Sequence, residues 1–584
     1  MKAKIFMLAA AAFTLSLASC QKDETTKGGL PSDLERAYAK VNVSLGASTR
    51  ALTDQYDAGT KAESEVNTLF LLIVDGQGNT VGTGSYNQFD YTTGKDESVE
   101  NTYDEENGEI KGKIIQVTMN PGNAVPEKLY AFVNTDVTFD NEALALDATS
   151  TIDQLQANGF VMTNSAYRNG SWVVGVDFTA DNLFSTADAA EKSTPVEIYV
   201  ERLAAKISAD EAENAVSESE QKFYDIDGKE YKLTFNSHKW AATGVAKKMY
   251  TFKRGGYSSS TYGWAEPETV AKRTFWAEGF YYDIPYANYA DEETRTPEEY
   301  LDYIKTKALI ANDGDGLDMG DFTYVTEHTN GPDAADTEGK YEGKFIGTNA
   351  IVVGYYSVEA VDDGSRTFEP VGDAGQSVDA YQDFYLALNG SANVPAEGEG
   401  VDKQVKTYTI YTKEDLMNRL FTNSKIAATK TSGGDADTFE NLKDAFDLGT
   451  SEGKYVLTVK GTIYKAGTDE QLTSEAFVTF TSNAAHYLNG WAYFMAPIEH
   501  NGGADTAEGA YGVVRNHSYK LTINSYKGLG APLDESKIGN DPTNPGEDDP
   551  DEPIIPDPSE EKDMWINATL NVLGWHTVSQ DVEF

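Results

Sequence analysis

The residue whose chemistry is best defined by its position is the only cysteine of the chain. Cys20 follows an apolar run over residues 5–18, which is itself preceded by Lys2 and Lys4. This is the pattern of an export signal that is too short to span a bilayer stably. The run ends Leu-Ala-Ser-Cys and has the form of a lipobox, so we expect residues 1–19 to be removed and Cys20 to be lipidated. An ordinary signal peptide with a chance cysteine is the alternative, and the position of the cysteine argues against it.

No other residues have the spacing of a catalytic or metal site. The acidic turn from Asp313 to Asp321 has some features of a calcium loop. With Gly316 at the glycine position of an EF-hand, however, Ala311 and Phe322 fall where carboxylates are required, which favours a solvated turn. No Walker, GxSxG or Rossmann motif is evident. The histidines show no ligand spacing such as HExxH; they are His238, His328, His486, His500, His517 and His576. We therefore expect no enzyme activity, no metal and no cofactor.

Composition excludes a nucleic-acid partner. The chain has 584 residues, with 47 Lys and Arg against 94 Asp and Glu, a net charge of -47. Such a chain repels a phosphate backbone and an anionic lipid surface. Hydrophobic residues make up 40% of the chain, including 34 Tyr and 25 Phe, which is typical of folded domains rather than of acidic disorder. The length fits two or three domains.

Strand patterns dominate the chain. Short runs of β-branched and aromatic residues alternate with Gly, Asn and Asp turns. The predicted strands are residues 69–74 with a return at Val81, 129–133, 196–200, 231–235, 351–353, 408–411, 455–459, 477–480, 491–494 and 519–523. Many short strands with few helices indicate an all-β fold, with antiparallel β-sandwiches and minor helical insertions.

Three segments are predicted to be helical. One begins at the N-cap Thr296 and continues through Ile304, because Pro and Glu occupy favourable first-turn positions. The second covers residues 412–421. The third covers residues 439–448 and is expected to stop at Gly449.

Residues 541–563 have a different composition from the rest of the chain. This stretch, DPTNPGEDDPDEPIIPDPSEEKD, holds six of the 18 prolines and ten acidic residues against one lysine. Proline-rich and like-charged chains are extended, at about 3.1 Å per residue. We expect an acidic linker that reaches several tens of Å.

Two period-2 strands lie at opposite ends of the chain. After the linker, apolar residues alternate with polar ones at Ile566, Ala568, Leu570 and Val572. Near the N-terminus the same alternation occurs at Ala39, Val41, Val43 and Leu45. A lone strand on a linker must pair with a sheet, either its own or that of another molecule.

A polar segment containing Arg50 and Ala51 follows the first of these strands. Cleavage after Arg50 would remove that strand and leave an open sheet edge with an apolar groove. The C-terminal strand of another subunit has a suitable pattern to fill it by strand addition, and this head-to-tail contact would propagate as a filament. The alternative is that both segments are ordinary strands of one monomer.

At these residues the sequence resembles the fimbrillins of Bacteroidales-type (type V) pili, most closely the shaft subunit of minor (Mfa-type) fimbriae. The most specific local matches are GVVRNHSYKLTI at residues 512–523, VERLAAK at residues 200–206, and the ending from Leu570 to Trp575 and from Val582 to Phe584. The resemblance covers the layout of nearly the whole chain. Residues 240–450 depart most from the family.

The resemblance implies two tandem antiparallel β-sandwich (transthyretin-like) domains and a C-terminal donor strand. The expected divisions are a signal peptide 1–19, a prosegment 20–50, domains 51–201 and 202–540, a linker 541–563 and a donor strand 564–584. The resemblance further implies an outer-membrane lipoprotein precursor that is cleaved between Arg50 and Ala51 by an arginine-specific protease. The subunit would then form a homopolymer by donor-strand exchange in a cell-surface fimbrium, with accessory, tip and anchor subunits as partners and a role in adhesion.

A monomeric surface lipoprotein that binds glycans is the alternative function. Aromatic clusters at Phe275-Trp276 and at Phe280-Tyr281-Tyr282 have the composition of a sugar-stacking platform. Such clusters are more often core residues. A glycan-binding monomer also has no need for two matching terminal strands.

Overall fold

The structure is a computed structural model. It describes residues 35–45, 56–57, 60–63, 65–87, 103–104, 109–120, 125–135, 144–145, 148–156, 159–165, 168–169, 172–173, 175–254, 277–282, 300–304, 309, 316–329, 347–361, 383–395, 402–451, 454–498, 500, 512–526, 528–533 and 567–575.

The described elements are mostly strands, as predicted. In chain order they are β1 (Arg36–Leu45), β2 (Tyr56–Asp57), β3 (Thr68–Val74), β4 (Thr80–Asn87), β5 (Tyr103–Asp104), β6 (Glu109–Met119), β7 (Lys128–Val133), β8 (Thr149–Ser150), β9 (Met162–Asn164), β10 (Arg168–Asn169), β11 (Trp172–Val173), β12 (Val176–Asp177), β13 (Val196–Arg202), β14 (Ala205–Val216), β15 (Lys222–Tyr224), β16 (Glu230–Thr243), β17 (Val245–Ala246), β18 (Met249–Tyr250), β19 (Leu301–Asp302), β20 (Phe322–Val325), β21 (His328–Thr329), β22 (Asn349–Ala360), β23 (Phe384–Pro395), β24 (Asp402–Tyr411), β25 (Ala428–Thr429), β26 (Phe446–Ser451), β27 (Lys454–Val459), β28 (Tyr464–Lys465), β29 (Thr481–Ser482), β30 (Ala485–Tyr487), β31 (Trp491–Pro497), β32 (Gly512–Val513), β33 (His517–Ser525), β34 (Ala531–Pro532) and β35 (Asn567–Trp575). The α-helices that lie wholly within the described residues are α1 (Ala187–Glu191), α2 (Lys413–Ser424) and α3 (Phe439–Leu442).

The first large sheet closes on itself. Its strands follow the order β1-β13-β9-β7-β3-β4-β6, and β6 pairs in turn with β1. The enclosed core consists of aliphatic side chains from these strands, among them Val41, Leu71, Val117, Ala131 and Ile198. Because the ring has no free edge at β1, this strand is a structural part of the barrel-like wall.

The second core is formed by side chains from two further sheets. One has the order β2-β35-β33-β14-β20, and the other β30-β23-β24-β15-β16-β22-β31-β34. Ile207 and Tyr519 from the first of these sheets share one hydrophobic cluster with Phe235 and Phe494 from the second. In both cores the first long strand pairs in parallel with a much later one, β1 with β13 and β14 with β33.

Two hairpins, β3–β4 and β15–β16, use the same turn. The Oδ1 of Asp75 accepts a hydrogen bond from the backbone N–H of Asn79 at 2.8 Å, and Asp225 caps its own turn in the same way. The turns place Gly78 at φ 83° and Gly228 at φ 82°, a left-handed conformation that glycine adopts at little cost. The tight return that the sequence predicts after residues 69–74 is confirmed.

A smaller cluster lies between β24 and β30. The N-cap Thr412 starts α2 as predicted, because its Oγ1 accepts from the N–H of Asp415 at 3.1 Å. The helix packs Leu416 and Leu420 against Phe446 and neighbouring residues of β26–β29.

Three local predictions are wrong. Tyr300 is helical, but the next residues form β19, which pairs with β17, so the helix does not reach Ile304. The third helix ends at Leu442. Gly449 belongs to β26, where a Cβ would meet the Thr458 side chain at 2.6 Å, so this glycine permits close strand approach instead of stopping a helix. Residues 477–480 form a turn, with Phe477 fully buried.

Candidate assembly strands

β1 is a central strand of the closed sheet. It pairs antiparallel with β6, from Arg36 opposite Thr118 to Val43 opposite Ile110. On its other side it pairs in parallel with β13, from Val41 opposite Val196 onwards. Loss of β1 would therefore leave two unpaired strand edges facing each other.

One face of β1 is apolar and buried. The side chains of Ala37, Ala39, Val41 and Val43 are at most 1% exposed. The predicted alternation is confirmed at Ala39, Val41 and Val43, and Leu45 ends the strand. All four side chains belong to the first core, so the strand fills a groove lined by that core.

The other face of β1 is held by polar contacts at the surface. The Nζ of Lys40 donates to the carbonyl oxygen of Glu191 at 2.8 Å. Asn42 accepts from the N–H of Gly112 at 2.6 Å and donates to a carboxylate oxygen of Glu197 at 2.5 Å. These contacts fix the register of β1 without linking it covalently to either neighbour. Its connection to the later strands runs through residues 46–55, which lie outside the described part of the chain.

β35 lies on a sheet of its own chain. It pairs antiparallel with β33, from Asn567 opposite Ser525 to Gly574 opposite His517. The predicted donor positions Ala568, Leu570 and Val572 lie opposite residues 523, 521 and 519, which are buried in the second core. β2 pairs in parallel with the other edge of β35.

β1 and β35 therefore have the same kind of surroundings. Each lies between one antiparallel and one parallel neighbour: β6 and β13 for β1, β33 and β2 for β35. Each also has alternating small or medium-sized apolar residues in its sequence. A strand that fits one position has the backbone requirements of the other.

Two of the segments that carry the family resemblance meet in space. The backbone N–H of Asn516 donates to the carbonyl of Ala204 at 2.8 Å, and the Nη1 of Arg202 donates to the Asn516 side chain at 3.1 Å. Lys206 in β14 lies opposite Ser518 in β33. Asn516 has φ 57°, a conformation that asparagine tolerates better than most residues.

Buried ion pairs surround this junction between the two cores. The guanidinium of Arg515 contacts the carboxylate of Glu327 at 2.9 Å, and Lys253 contacts Glu201 at 3.0 Å, with all four side chains at most 1% exposed. Arg515 also donates to the carbonyl of Thr251 at 3.0 Å. Since the charges are paired and hydrogen-bonded, their burial is tolerated. Sequence spacing does not mark these pairs, because they join distant parts of the chain.

Several predicted sites lie outside the described residues. These are the lipidation site Cys20, the cleavage site between Arg50 and Ala51, the donor position Ile566, and the linker 541–563. Asp313 also lies outside, whereas Asp318 of the same acidic turn forms an ion pair with Lys239 at 2.6 Å.

The described residues contain no cluster of three or more His, Cys, Asp or Glu side chains arranged to hold a metal. No helix in the described part of the chain is both long enough and apolar enough to cross a membrane. Of the aromatic residues weighed as a sugar platform, Tyr281 and Tyr282 are buried, and Phe280 packs edge-on against Tyr281. These rings are core residues, while Phe275 and Trp276 lie outside the described residues.

Residues 485–581 match the family model described as Fimbrillin_C: major fimbrial subunit protein type IV, fimbrillin, C-terminal. The predicted resemblance to fimbrillins is confirmed over this segment. The fimbrillin segment includes β33 and β35, the two paired strands at the end of the chain. No curated protein matches the chain.

The solved structures with some likeness to this chain are distant. A candidate cell adhesion protein from Parabacteroides distasonis shares 10% identity with a TM-score of 0.33, and the alignment covers 94% of this chain and 100% of that one. A candidate cell adhesion protein from Bacteroides eggerthii shares 10% identity with a TM-score of 0.29, covering 92% and 96%. A fimbrial assembly protein from Parabacteroides distasonis shares 9% identity with a TM-score of 0.23, covering 72% and 95%. At these scores the likeness carries no argument about fold or function.

Proposed function

We propose that the chain is a structural, non-enzymatic subunit of a cell-surface fimbria, and specifically a shaft subunit of the Mfa type that supports adhesion. It is made as an outer-membrane lipoprotein precursor lipidated at Cys20. Cleavage between Arg50 and Ala51 by an arginine-specific protease releases residues 20–50, including β1. The terminal strand of a neighbouring subunit then fills the vacated groove, and accessory, tip and anchor subunits complete the fibre.

The observation that carries this proposal is the position of β1. It is hydrogen-bonded on both sides and buries four apolar side chains, and its covalent connection to the later strands runs through the segment that contains Arg50. The equivalent first strand of the second core, β14, follows β13 directly and cannot leave. A single cut therefore opens one core and spares the other.

Strand exchange has a favourable balance of contacts. A fully buried side chain of valine or leucine size contributes about 1.5 to 3 kcal/mol, and each ladder hydrogen bond a net of about 0.5 to 1.5 kcal/mol. An empty groove loses both kinds of contact. The precursor keeps its groove filled by β1, which blocks premature assembly, and the processed subunit regains these contacts only from another strand.

The linker allows β35 to serve a neighbour. In the structure β35 lies between β33 and β2 in a sheet of its own chain, so the precursor has both of its proposed assembly strands docked. Residues 541–563 are proline-rich and acidic, and at about 3.1 Å per residue they span several tens of Å when extended. The terminal strand can then leave β33 without disturbing the rest of the second core.

The test compares wild-type protein with an Arg50→Ala variant in the native host. Protein sheared from the cell surface is analysed by mass spectrometry and by gel electrophoresis with and without boiling. We expect a mature N-terminus at Ala51 and a heat-sensitive ladder for wild type, but an intact, lipidated, unpolymerised chain for the variant.

Deletion of residues 564–584 provides the companion variant. It should be cleaved normally and still fail to extend a ladder, because it can accept a strand but not donate one. Normal ladders from the Arg50→Ala protein would reject the processing step, and normal ladders from the deletion would reject the donor assignment. A lipidated monomer from wild-type cells would favour the glycan-binding alternative or an anchor role.

A further inference from the structure

A short segment after the predicted cleavage site contacts both β35 and the junction between the two cores. It comprises β2 (Tyr56–Asp57) and residues 60–63, and is here called the strap. Because the strap is C-terminal to Arg50, it stays with the subunit after cleavage, whereas β1 does not.

One end of the strap is anchored by Glu63, which is 1% exposed. The Nζ of Lys206 contacts its Oε1 at 3.0 Å, and the hydroxyl of Tyr324 donates to the same oxygen at 2.6 Å. The backbone N–H of Thr60 donates to Oε2 at 2.6 Å, and the Nε of Arg202 donates to the Glu63 carbonyl at 2.5 Å. Burial alone would raise the pKa of Glu63, but the hydrogen bonds from Tyr324, Thr60 and Lys206 outweigh it, so the pKa is lowered.

The other end of the strap pairs with the last two residues of β35. Tyr56 lies opposite Gly574 and Asp57 opposite Trp575, in parallel register. Gly574 also lies opposite His517 of β33, next to Ser518, which faces Lys206 across the β33–β14 pair. The pairing of β2 with β35 and the ion pair of Glu63 are therefore at the same end of this sheet.

We propose that the strap is a docking surface for the terminal strand of its own chain and holds β35 on β33 until exchange. The proposal rests on the proposed function only in treating β35 as a donor. Cleavage after Arg50 empties the acceptor groove but leaves the strap in place. Donation of β35 is then a separate step, controlled by how firmly Glu63 anchors the strap.

Hydrogen–deuterium exchange on the full chain tests this without any assembly. An Arg50→Ala background prevents processing, and the exchange rates of residues 567–575 are compared between this parent, Glu63→Ala and Tyr324→Phe. Tyr231→Phe is the matched control, because the Tyr231 hydroxyl donates to Asp225 at 3.2 Å in the other sheet of the same core.

We expect both strap variants to exchange at least tenfold faster over residues 567–575, with the control equal to the parent. Tyr324→Phe removes only a hydroxyl, so it remains informative if Glu63→Ala fails to fold. The proposal is overturned if residues 567–575 are unprotected in the parent. It is also overturned if they keep full protection in folded Tyr324→Phe protein while residues 60–63 exchange faster.

Assembly kinetics then separate this proposal from the function on which it rests. This experiment uses precursors that keep the natural Arg50. After treatment with an arginine-specific protease, purified Tyr324→Phe precursor should extend ladders faster than wild type, because β35 leaves its own sheet more readily. Equal rates would reject control by the strap. Absence of ladders in wild type as well would reject the fimbrial mechanism and leave the exchange result on the strap intact.

Discussion

His328 is the buried group with the clearest consequence for stability at low pH. It is 1% exposed, and its Nδ1 lies 3.2 Å from the carbonyl oxygen of Gly244. Burial lowers its pKa to about 4, although the hydrogen bond with Gly244 acts in the opposite direction. In the unfolded chain a histidine has a pKa of about 6.5. The folded protein therefore keeps a neutral imidazole where the unfolded chain takes up a proton.

The sign of the pH effect follows from this difference. Above about pH 6.5 both states are neutral and His328 contributes no pH dependence. As the pH falls towards about 4, only the unfolded state binds the proton, so the free energy of unfolding decreases by about 3 kcal/mol. Urea titrations across this range should show a shallower loss of stability for His328→Asn than for wild type. Parallel pH profiles for the two proteins would contradict the assignment.

At the scale of elements, β1 should be displaceable by a change on its buried face. Val41 is fully buried in the first core, whereas the neighbouring Lys40 reaches the surface. An unpaired carboxylate at position 41 would cost several kcal/mol if it stayed in the core. We expect Val41→Asp to release β1 and open the groove in the uncleaved precursor.

A fluorescent peptide of residues 564–576 reports the open groove by polarisation. Val41→Asp precursor should bind it, while wild-type precursor and the matched Lys40→Asp variant should not. Intrinsic fluorescence of Trp240, which is buried in the second core, verifies that this core remains folded. Equal binding by wild type, or no binding by a folded Val41→Asp protein, would show that β1 does not occupy the acceptor groove.

Sequence patterns predict most of the strands, including β1 and β35, because period-2 alternation reports burial directly. They fail where long-range pairing decides the local structure. Thr296 to Tyr300 carry good helix-start signals, yet Leu301 pairs with Ala246 and ends the helix. Gly449 has the appearance of a helix stop and serves instead as a close-approach position within β26. Phe477 lies in a turn, yet its side chain is fully buried, and a buried apolar residue is what the sequence pattern of a strand reports.

The assembly site is only partly visible in the sequence for the same reason. Alternation identifies β1 and β35, but it does not show that β35 lies on β33 of its own chain. Nothing in the spacing of Glu63 relates it to Lys206 or Tyr324, because these residues are distant in the sequence and meet only in the folded protein. The contacts proposed to hold the donor strand back are therefore tertiary, while the patterns of the strands proposed to exchange are local in the sequence.

At the scale of the whole molecule, the net charge of -47 would oppose the proposed assembly. Two copies of the subunit repel each other, and the linker that carries the donor strand holds ten acidic residues against one lysine. This repulsion is screened over about 10 Å at 0.1 M salt and over about 30 Å at 0.01 M. After cleavage, we expect ladders to form on the order of tenfold faster at 0.1 M than at 0.01 M salt.

The direction in which salt changes the rate of ladder formation distinguishes strand exchange from charge-steered docking. Association guided by complementary charges slows as salt is added, whereas exchange of an apolar strand between like-charged copies accelerates. A variant with the linker's acidic residues changed to Asn and Gln supplies the control, because its rate at low salt should approach the wild-type rate at high salt. A wild-type rate that falls as salt is added would mean that positively charged patches drive the encounter.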